Sequence, residues 1–457
     1  MFQEKLQQVT QLLGCLEKDV DHKYLSSAQR EQILLQLRQH GTGKENAGPI
    51  YSKDGIGLLT KYGGNGETAS VRRAALRCVA NALLLEPSLR QAFVDTGCCS
   101  KLTERLKCDS SEDELVNSRL LFYCTYNTTV DFGELISKNS LLDSIIYQIN
   151  RHTKQLPRSG RKALPQVDEL AFTDTVKLMH NIAALYPDLA PSFSPAIGPL
   201  FKFISRVDIP PKPLDGLTGF LIKCLARLDI EGEKGKPFES NPIFPTFNQN
   251  CNVDKLINIL DKAVPAHPPD FLEVNAVPLI GTLTIIYSMA PDGCRQYMKW
   301  LLLPEESDGS QPIGKSDTLS SRLLRLSTGP YPILKSAISQ LLFSLSDCSP
   351  ENLTRNIGFG FASGLLASNG LDIPQTAGEA FSTSADPARN PITGQRYDAE
   401  PVDTGPPMSK AEKEREAERL FVLFERARAN GFLNVENPVR VAQQQGTLEE
   451  LPDSDSD

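Results

Sequence analysis

A net charge of −8 over 457 residues argues against a nucleic-acid backbone as the main ligand, because phosphate binding needs clustered cations. With 40% hydrophobic and 23% charged residues, the composition is that of a globular protein, long enough for two or three domains or for one solenoid. No stretch approaches the roughly 18 apolar residues of a membrane-spanning helix, and residues 1–5 lack the layout of a signal peptide. The sequence therefore predicts a cytoplasmic protein.

The N-terminal region is patterned for helices. Apolar residues recur at helical spacing over residues 2–37, which predicts a helical hairpin whose second helix is capped by Ser26 or Ser27. Two glycine-rich stretches follow, at residues 41–49 and 62–66. Since glycine clusters punctuate regular structure, both are predicted to be loops between helices.

One segment occurs twice, beginning at residues 76 and 176, with the sequences LRCVANALLLEP and VKLMHNIAALYP. In each copy a cation and an asparagine are four positions apart: Arg77 and Asn81 in the first, Lys177 and Asn181 in the second. On a helix such residues share one face, while the apolar positions face elsewhere. The repeat predicts helices that are buried on one side and offer polar groups on another.

Helical periodicity continues along the chain and strand-like alternation is nearly absent, which predicts an all-α array of stacked repeats. Residues 231–252 form a Gly/Pro/Asn-rich insertion whose aromatic residues are expected to pin it to the body. Trp300 is expected to pack at an apolar helix end. Further helices are predicted at 89–94, 102–106, 115–126, 135–149, 197–205, 214–228, 253–263, 274–289, 295–303, 319–326 and 333–345.

The C-terminal part changes in composition. Following a repeat domain over residues 1–372, residues 373–408 are rich in Thr, Ser, Pro and Gly and are predicted to be an extended linker. A capping-box pattern at Ser409 and Glu412 begins an amphipathic helix predicted over residues 409–431. Its apolar stripe, which needs a surface to cover it, includes Leu420, Phe421 and Phe424.

Residues 432–457 are acidic and poor in core residues, so they are predicted to be a disordered tail. Thr447 and Ser454 each have an acidic residue three positions later, the pattern that acidophilic kinases accept. We consider both as phosphorylation sites, with a purely solubilising tail as the equal alternative.

The motifs of common enzymes are missing or incomplete. Gly43 and Lys44 resemble part of a phosphate loop, but Glu45 stands where a hydroxyl residue would hold magnesium. The glycines of residues 358–364 resemble a dinucleotide fingerprint, but no strand precedes them, and we interpret them as a helix–turn–helix junction. The five histidines form no metal-binding pair, and the ten cysteines are interpreted as reduced core thiols. No catalytic residue, metal or cofactor is predicted.

The repeated cation and asparagine face is therefore the best candidate for a binding surface. Arg119 heads a similar helix between the two copies. In a stacked array, asparagine side chains along a groove can clamp the backbone of an extended peptide, and the cations would attract a carboxylate. The alternative is that Asn81 and Asn181 only bridge neighbouring helices.

Several blocks in order resemble the synembryn family, non-receptor exchange factors and folding chaperones for heterotrimeric G-protein α subunits. Phe359 and Phe361 depart from the family's Tyr and Asn, and the first seventy residues match weakly. The Asp-Ser-Asp ending also resembles the family. The resembling blocks are 76–81, 118–122, 176–181, 341–345, 355–367, 390–394 and the helix 410–428.

The resemblance implies a right-handed superhelix of armadillo- and HEAT-like repeats, monomeric and cytoplasmic, recruited to the plasma membrane through its α-subunit partner. Its concave groove is implied to bind the C-terminal helix of a GDP-bound, nucleotide-free or nascent α subunit. The C-terminal helix, with Leu420, Phe421 and Phe424, is implied to contact the GTPase domain. Phosphorylation of the family's acidic C-terminal region supports activity. The implied groove residues are Arg77, Asn81, Arg119, Lys177 and Asn181.

Two other classes of function stay open. The first is an armadillo-type adaptor that binds a linear peptide or a nuclear-transport cargo without nucleotide exchange. An adaptor of this kind predicts a longer row of asparagines than the two positions found. The second is a structural scaffold whose groove residues can change without loss of binding.

Overall fold

A computed structural model describes most of the chain, in two units. The first unit is Met1–Ala399 and the second is Glu400–Asp457. The described residues are 2–157, 159–236, 241–304, 310–371, 390, 394–400 and 409–429.

The described residues are predominantly α-helical, which confirms the all-α prediction. Short 3-10 helices occupy Pro187–Ala196, Glu231–Glu233 and Tyr397–Ala399. The α-helices are α1 (Phe2–His22), α2 (Ser27–His40), α3 (Lys53–Asn65), α4 (Ala69–Leu85), α5 (Leu89–Val94), α6 (Cys98–Leu106), α7 (Ser111–Cys124), α8 (Phe132–Ser137), α9 (Leu141–Gln155), α10 (Gln166–Leu185), α11 (Ile197–Arg206), α12 (Gly216–Leu225), α13 (Cys251–Ala266), α14 (Pro269–Asn275), α15 (Val277–Met289), α16 (Asp292–Leu302), α17 (Leu319–Ser327), α18 (Pro332–Leu345), α19 (Pro350–Ser368) and α20 (Lys410–Ala429).

One row of helices in the first unit follows a regular order of contacts. Helix α4 packs on α7, α7 on α10, α10 on α12, α12 on α15, and α15 on α18. We call this row the ladder. The helices bury a hydrophobic cluster that extends from Val9 to Leu366. Because each ladder helix packs on the next one in the row, the core grows by stacking, as expected of a helical-repeat protein.

Two stretches predicted as single helices are each two helices. Residues 135–149 include the end of α8 and the start of α9, separated at Ser140, whose φ of 56° is left-handed. Residues 274–289 are divided between α14 and α15, which meet at 51°. Among the described residues no single helix is long and apolar enough to cross a membrane, although this bent pair together has the length and composition. Apolar periodicity alone does not register such short breaks.

The prediction of a loop over residues 62–66 is wrong, because residues 62–65 are the last turn of α3. The glycines there allow close packing between helices. A Cβ added at Gly63 would lie 2.4 Å from a methyl carbon of Leu76 on α4. A larger residue at this helix crossing would force the Leu76 side chain to shift, so Gly63 favours the approach of a neighbour where the sequence suggested a turn.

Two aromatic side chains that were predicted to pack inside are largely exposed: Phe247 is 83% and Trp300 63% exposed. Phe244 of the same insertion is buried, so the insertion is anchored by part of its aromatic set. Cys15 and Cys348 are also exposed, which contradicts their assignment as core thiols.

Part of the predicted linker packs on the body of the first unit. The side-chain amide of Gln395 donates to the carbonyl oxygens of Ser310 at 3.1 Å and Ala399 at 2.9 Å. Gly394 has a φ of 67°, and a Cβ there would lie 2.3 Å from Ile313. The boundaries at residues 372, 408 and 431 remain predictions.

The segment that resembled a dinucleotide fingerprint lies within α19. Ser349 caps this helix by accepting a hydrogen bond from the Asn352 amide, and the helix is kinked at Gly358, with φ 76° and ψ 154°. These dihedral angles are accessible almost exclusively to glycine. The predicted helix–turn–helix junction is thus a kink of one residue.

We expect Gly358→Ala to lower the free energy of unfolding by more than about 1 kcal/mol, because alanine is strained at these dihedral angles. Gly364→Ala is the matched control in the same helix, where an added Cβ has no neighbour within 4 Å. The control should leave stability unchanged or raise it by about 0.5–1 kcal/mol, through helix propensity. Thermal unfolding followed by circular dichroism measures both. Equal effects would contradict the assigned kink.

Candidate functional site

The ladder brings the predicted groove residues onto three consecutive helices. Arg77 and Asn81 lie on α4, Arg119 on α7, and Lys177 and Asn181 on α10. The two copies of the repeated segment thus lie on either side of α7. Each copy ends similarly, with a proline two residues after the last helical residue.

The three predicted cations are already paired with carboxylates of neighbouring or the same ladder helices. Arg77 is 3.4 Å from Glu112 on α7, and Arg119 on α7 is 2.6 Å from Asp174 on α10. Lys177 is 3.3 Å from the other oxygen of Asp174. All three cationic side chains remain partly exposed. The ion pairs of Arg77 and Arg119 join neighbouring ladder helices. All three cations also add positive charge to the ladder surface.

The two asparagines differ in their surroundings. Asn181 is only 7% exposed, and its amide nitrogen donates to the Thr125 hydroxyl at 2.9 Å. Thr125 caps the C-terminal end of α7, so Asn181 joins α10 to α7. Asn81 is half-buried, and its side chain makes no hydrogen bond to the described residues. Of the pair, Asn81 is the one whose donor and acceptor are open to a ligand.

Aromatic rings flank two cations of the ladder helices, Lys177 and Lys223, a feature that was not predicted from the sequence. The ammonium of Lys177 lies 4.9 Å from the ring centre of Phe220 and 6.0 Å from that of Phe122. Lys223, on α12 with Phe220, lies 5.6 Å from the same ring. Cation–π contacts of this kind hold a cation at a defined place on the surface. The spacing of Phe220 and Lys223, three apart on one helix, was the available signal.

A cleft of about 360 Å³ opens beside the second copy of the repeat. Its cationic lining comes from Lys223 and Arg227, with the imidazole of His180 beside them, and its apolar lining includes Val274 and Val277. Burial lowers the pKa of Lys223. Burial also lowers the pKa of His180; the hydrogen bond with Asn181 opposes this, and the charges of Arg227 and Lys223 reinforce it. The cleft therefore combines positive charge with apolar surface.

A buried polar cluster fixes the position of α7 in the ladder. The carboxylate of Glu114 is fully buried and accepts hydrogen bonds from Arg151 and from His152 of α9, the latter at 2.7 Å. Its other oxygen accepts from the Thr175 hydroxyl of α10 at 2.7 Å. We call these four residues the Glu114 cluster. It joins α7, α9 and α10.

In the second unit, α20 begins with the predicted capping box. The Ser409 amide donates to the Glu412 carboxylate at 2.9 Å, and the Glu412 amide lies 3.4 Å from the Ser409 hydroxyl oxygen. Phe421 is exposed and Phe424 is half-buried. The side chain of Leu420, together with Thr447 and Ser454, lies outside the described residues.

Comparison with known proteins identifies the family. A family model described as the guanine nucleotide exchange factor synembryn matches residues 33–447. Chaperone Ric-8A of Bos taurus is 24% identical over 427 residues, which are 84% of this chain and 78% of that protein. A synembryn-like chaperone of Schizosaccharomyces pombe is 31% identical over 171 residues, about a third of either chain: 34% of this one and 32% of that one.

Two solved structures are similar at a lower level. An engineered protein is 16% identical, with a TM-score of 0.47 over 83% of this chain and 75% of its own. A designed armadillo repeat protein is 14% identical, with a TM-score of 0.38 over 63% of this chain and 100% of its own.

Because the family model covers nearly the whole sequence, the chain belongs to the synembryn family of guanine nucleotide exchange factors.

Proposed function

We propose that this protein is a guanine nucleotide exchange factor and folding chaperone for heterotrimeric G-protein α subunits. Membership of the synembryn family supports the class of partner, as does the name Chaperone Ric-8A of relatives that align over most of the chain. The observation that carries the proposal within this chain is the ladder surface. It presents the free amide of Asn81 on α4, and it also presents a cation, Lys177, against an aromatic ring on α10 and α12, which suits a peptide segment.

The surface of α4, α7 and α10 forms the groove that receives the C-terminal helix of the α subunit. Asn81 contacts the peptide backbone, while Arg77, Arg119 and Lys177 contribute positive potential. Asn181 acts mainly by holding α10 against the end of α7. Leu420, Phe421 and Phe424 of α20 cover apolar surface on the GTPase domain.

Exchange then follows from a difference in affinity, with no covalent step. A protein that binds the nucleotide-free α subunit more tightly than the GDP-bound form draws the α subunit toward the open state, and GDP leaves. GTP binding favours the compact state and releases the complex. A ten-thousand-fold preference corresponds to about 5.5 kcal/mol of differential contact free energy. The same preference for an open α subunit protects a nascent one during folding.

The test uses the full chain and a purified, GDP-loaded α subunit. We expect the chain to accelerate uptake of a GTP analogue and to form a complex that survives removal of GDP and dissociates when GTP is added. Absence of both effects would contradict the proposed function. Stable binding without acceleration would favour the adaptor alternative. The groove is tested in parallel by Arg77→Glu, with Lys202→Glu as control, since Lys202 is an exposed lysine of α11 outside the ladder.

A further inference from the structure

Two adjacent serines at the start of α7 are followed by a run of acidic residues. The sequence of residues 109–114 is DSSEDE. Asp113 lies three positions after Ser110, and Glu114 lies three positions after Ser111. Both serines therefore have the pattern that acidophilic kinases accept, here in the ladder and far from the C-terminal tail. By sequence alone the two serines are equivalent.

The structure separates the two serines, because the acidic residues that follow them differ in exposure. Glu114, three positions after Ser111, is fully buried in the Glu114 cluster. The side chain of Asp113, three positions after Ser110, is 30% exposed, and that of Glu112 is 49% exposed. A kinase can contact the acidic residues that follow Ser110, whereas the carboxylate that marks Ser111 is inside the protein.

The hydroxyl groups of the two serines also differ. The Ser111 hydroxyl donates to Asp168 and accepts from two nitrogens of Arg151, each at 3.2 Å. A phosphate on Ser111 would place its negative charges beside the Asp168 carboxylate. The Ser110 hydroxyl caps α7 by accepting from the Asp113 amide at 3.3 Å, and it donates to none of the described residues. Its proton can leave without loss of a hydrogen bond within the protein.

A guanidinium group of α4 already contacts the Ser110 hydroxyl. Nη1 of Arg73 lies 3.3 Å from the Ser110 oxygen, and it also lies 3.1 Å from the Glu112 carboxylate and 3.7 Å from that of Asp113. A phosphate on Ser110 would meet this cation without movement of α4. With a charge near −2 and three acceptor oxygens, the phosphate would bind the guanidinium in preference to the carboxylates.

The position of Ser110 gives a kinase access to it. It follows residues 107–109, which are outside any helix, and its own backbone is extended, with φ −90° and ψ 116°. Helix ends open locally at low cost, so residues 111–113 can unwind. The opening stops at Glu114, which is held by its buried partners on α9 and α10. Local opening thus exposes Ser110 with the residues after it and leaves the rest of α7 in the ladder.

We propose that Ser110 is a phosphorylation site for an acidophilic serine kinase and that Arg73 binds the resulting phosphate. The kinase transfers the γ-phosphoryl group of ATP. A bond forms between the Ser110 oxygen and the γ-phosphorus, the bond from that phosphorus to the bridging β,γ-oxygen breaks, ADP leaves, and the hydroxyl proton passes to the base of the kinase. The proposal is independent of the proposed function, because neither step involves an α subunit.

The test treats the folded full chain with a purified acidophilic serine kinase and MgATP, and locates phosphate by tandem mass spectrometry. We expect phosphate on Ser110 and none on Ser111. Asp113→Asn should slow incorporation at Ser110 about tenfold, as for loss of one charge-assisted contact with the kinase. Asp109→Asn is the matched control, because it removes the same charge on the other side of Ser110, and it should slow incorporation much less.

A synthetic peptide of residues 105–118 provides the comparison without the fold. Nothing buries Glu114 in the peptide, so Ser111 should be modified there as well as Ser110. Phosphate on Ser111 of the folded chain would overturn the proposal. So would a folded chain that stays unmodified at Ser110 while the peptide is modified, and so would a peptide that the kinase does not modify.

The contact between the phosphate and Arg73 is measured by the melting temperature. Phosphorylation should leave the Tm of the unsubstituted chain unchanged or higher. It should lower the Tm of Arg73→Gln by about 2 °C or more, because the added charge beside Glu112 then has no guanidinium to compensate it. Ser110→Ala, treated in the same way, shows the effect of phosphate at other residues. Equal shifts in the unsubstituted chain and in Arg73→Gln would overturn the assignment of Arg73.

Discussion

Replacing Glu114 by alanine is expected to lower the free energy of unfolding by about 3 kcal/mol, because the substitution removes the nearer carboxylate of largely buried Arg151 and leaves it only Asp168, at 3.7 Å. In the same step His152 loses the acceptor of its Nε2, and the Thr175 hydroxyl keeps only the Ala171 carbonyl oxygen of its own helix, at 3.2 Å. Glu114 joins three helices that are distant in sequence, so the loss affects the middle of the ladder. Thermal and urea unfolding, followed by circular dichroism, provide the measurement.

The control is Glu112→Ala, which removes the same charge from the first turn of the same helix. Glu112 is 49% exposed and pairs with Arg73 and Arg77 at the surface. Exposed pairs contribute at most about 1 kcal/mol, so the control should shift stability little. Glu114→Gln, which keeps acceptor oxygen but removes the charge, should be intermediate. If Glu114→Ala and Glu112→Ala shift the unfolding midpoint equally, the Glu114 cluster does not stabilise the fold as described.

Alanine substitutions at the two repeated asparagines are expected to have opposite consequences. Asn181→Ala should lower the free energy of unfolding by about 1–3 kcal/mol, since it leaves the buried Thr125 hydroxyl without its donor. Asn81→Ala should leave stability unchanged or raise it by up to about 0.5 kcal/mol, because alanine is the better helix former. Under the proposed function, Asn81→Ala should nevertheless weaken α-subunit binding about tenfold.

Each asparagine variant serves as the control for the other, because the same side chain is removed from equivalent positions of the repeat. Stability is measured by thermal unfolding and affinity by titration with the nucleotide-free α subunit. If the Asn81→Ala protein binds the α subunit with unchanged affinity, Asn81 does not contact the bound peptide. If the Asn181→Ala protein has unchanged stability, Asn181 does not stabilise the packing of α10 on α7.

The sequence predicted most of the helices and the family, because both depend on local information. Apolar periodicity, the caps at Ser26 and Ser409 and the blocks of family resemblance are properties of short segments. The errors occur where a neighbour in space decides the local conformation. Residues 62–66 look like a turn, yet Gly63 is in a helix that approaches Leu76, and a contact of this kind cannot be inferred from glycine content.

In the candidate site, too, the positions of residues depend on local sequence and their partners depend on contacts in space. The positions of Arg77, Asn81, Arg119, Lys177 and Asn181 on three related helices followed from the repeat alone. The partners of Arg77 and Arg119 did not, because Glu112 and Asp174 belong to neighbouring helices that only packing brings within reach. The pair of Asp174 and Lys177 is local, three positions apart on α10. Lys223 and Arg227 were missed for the same reason, since nothing in their local sequence distinguishes them from ordinary surface cations.

By itself the sequence determined that this is an all-helical repeat protein of the synembryn family, with a polar face recurring on its repeats. Only the tertiary structure decided which of those polar groups already have a hydrogen-bond or ion-pair partner within the protein. Asn81 and Asn181 occupy the same place in one pattern, but Thr125 at the end of α7 binds only Asn181. A hydrogen bond between helices depends on distances that stacking sets, whereas helix formation depends on neighbours along the chain.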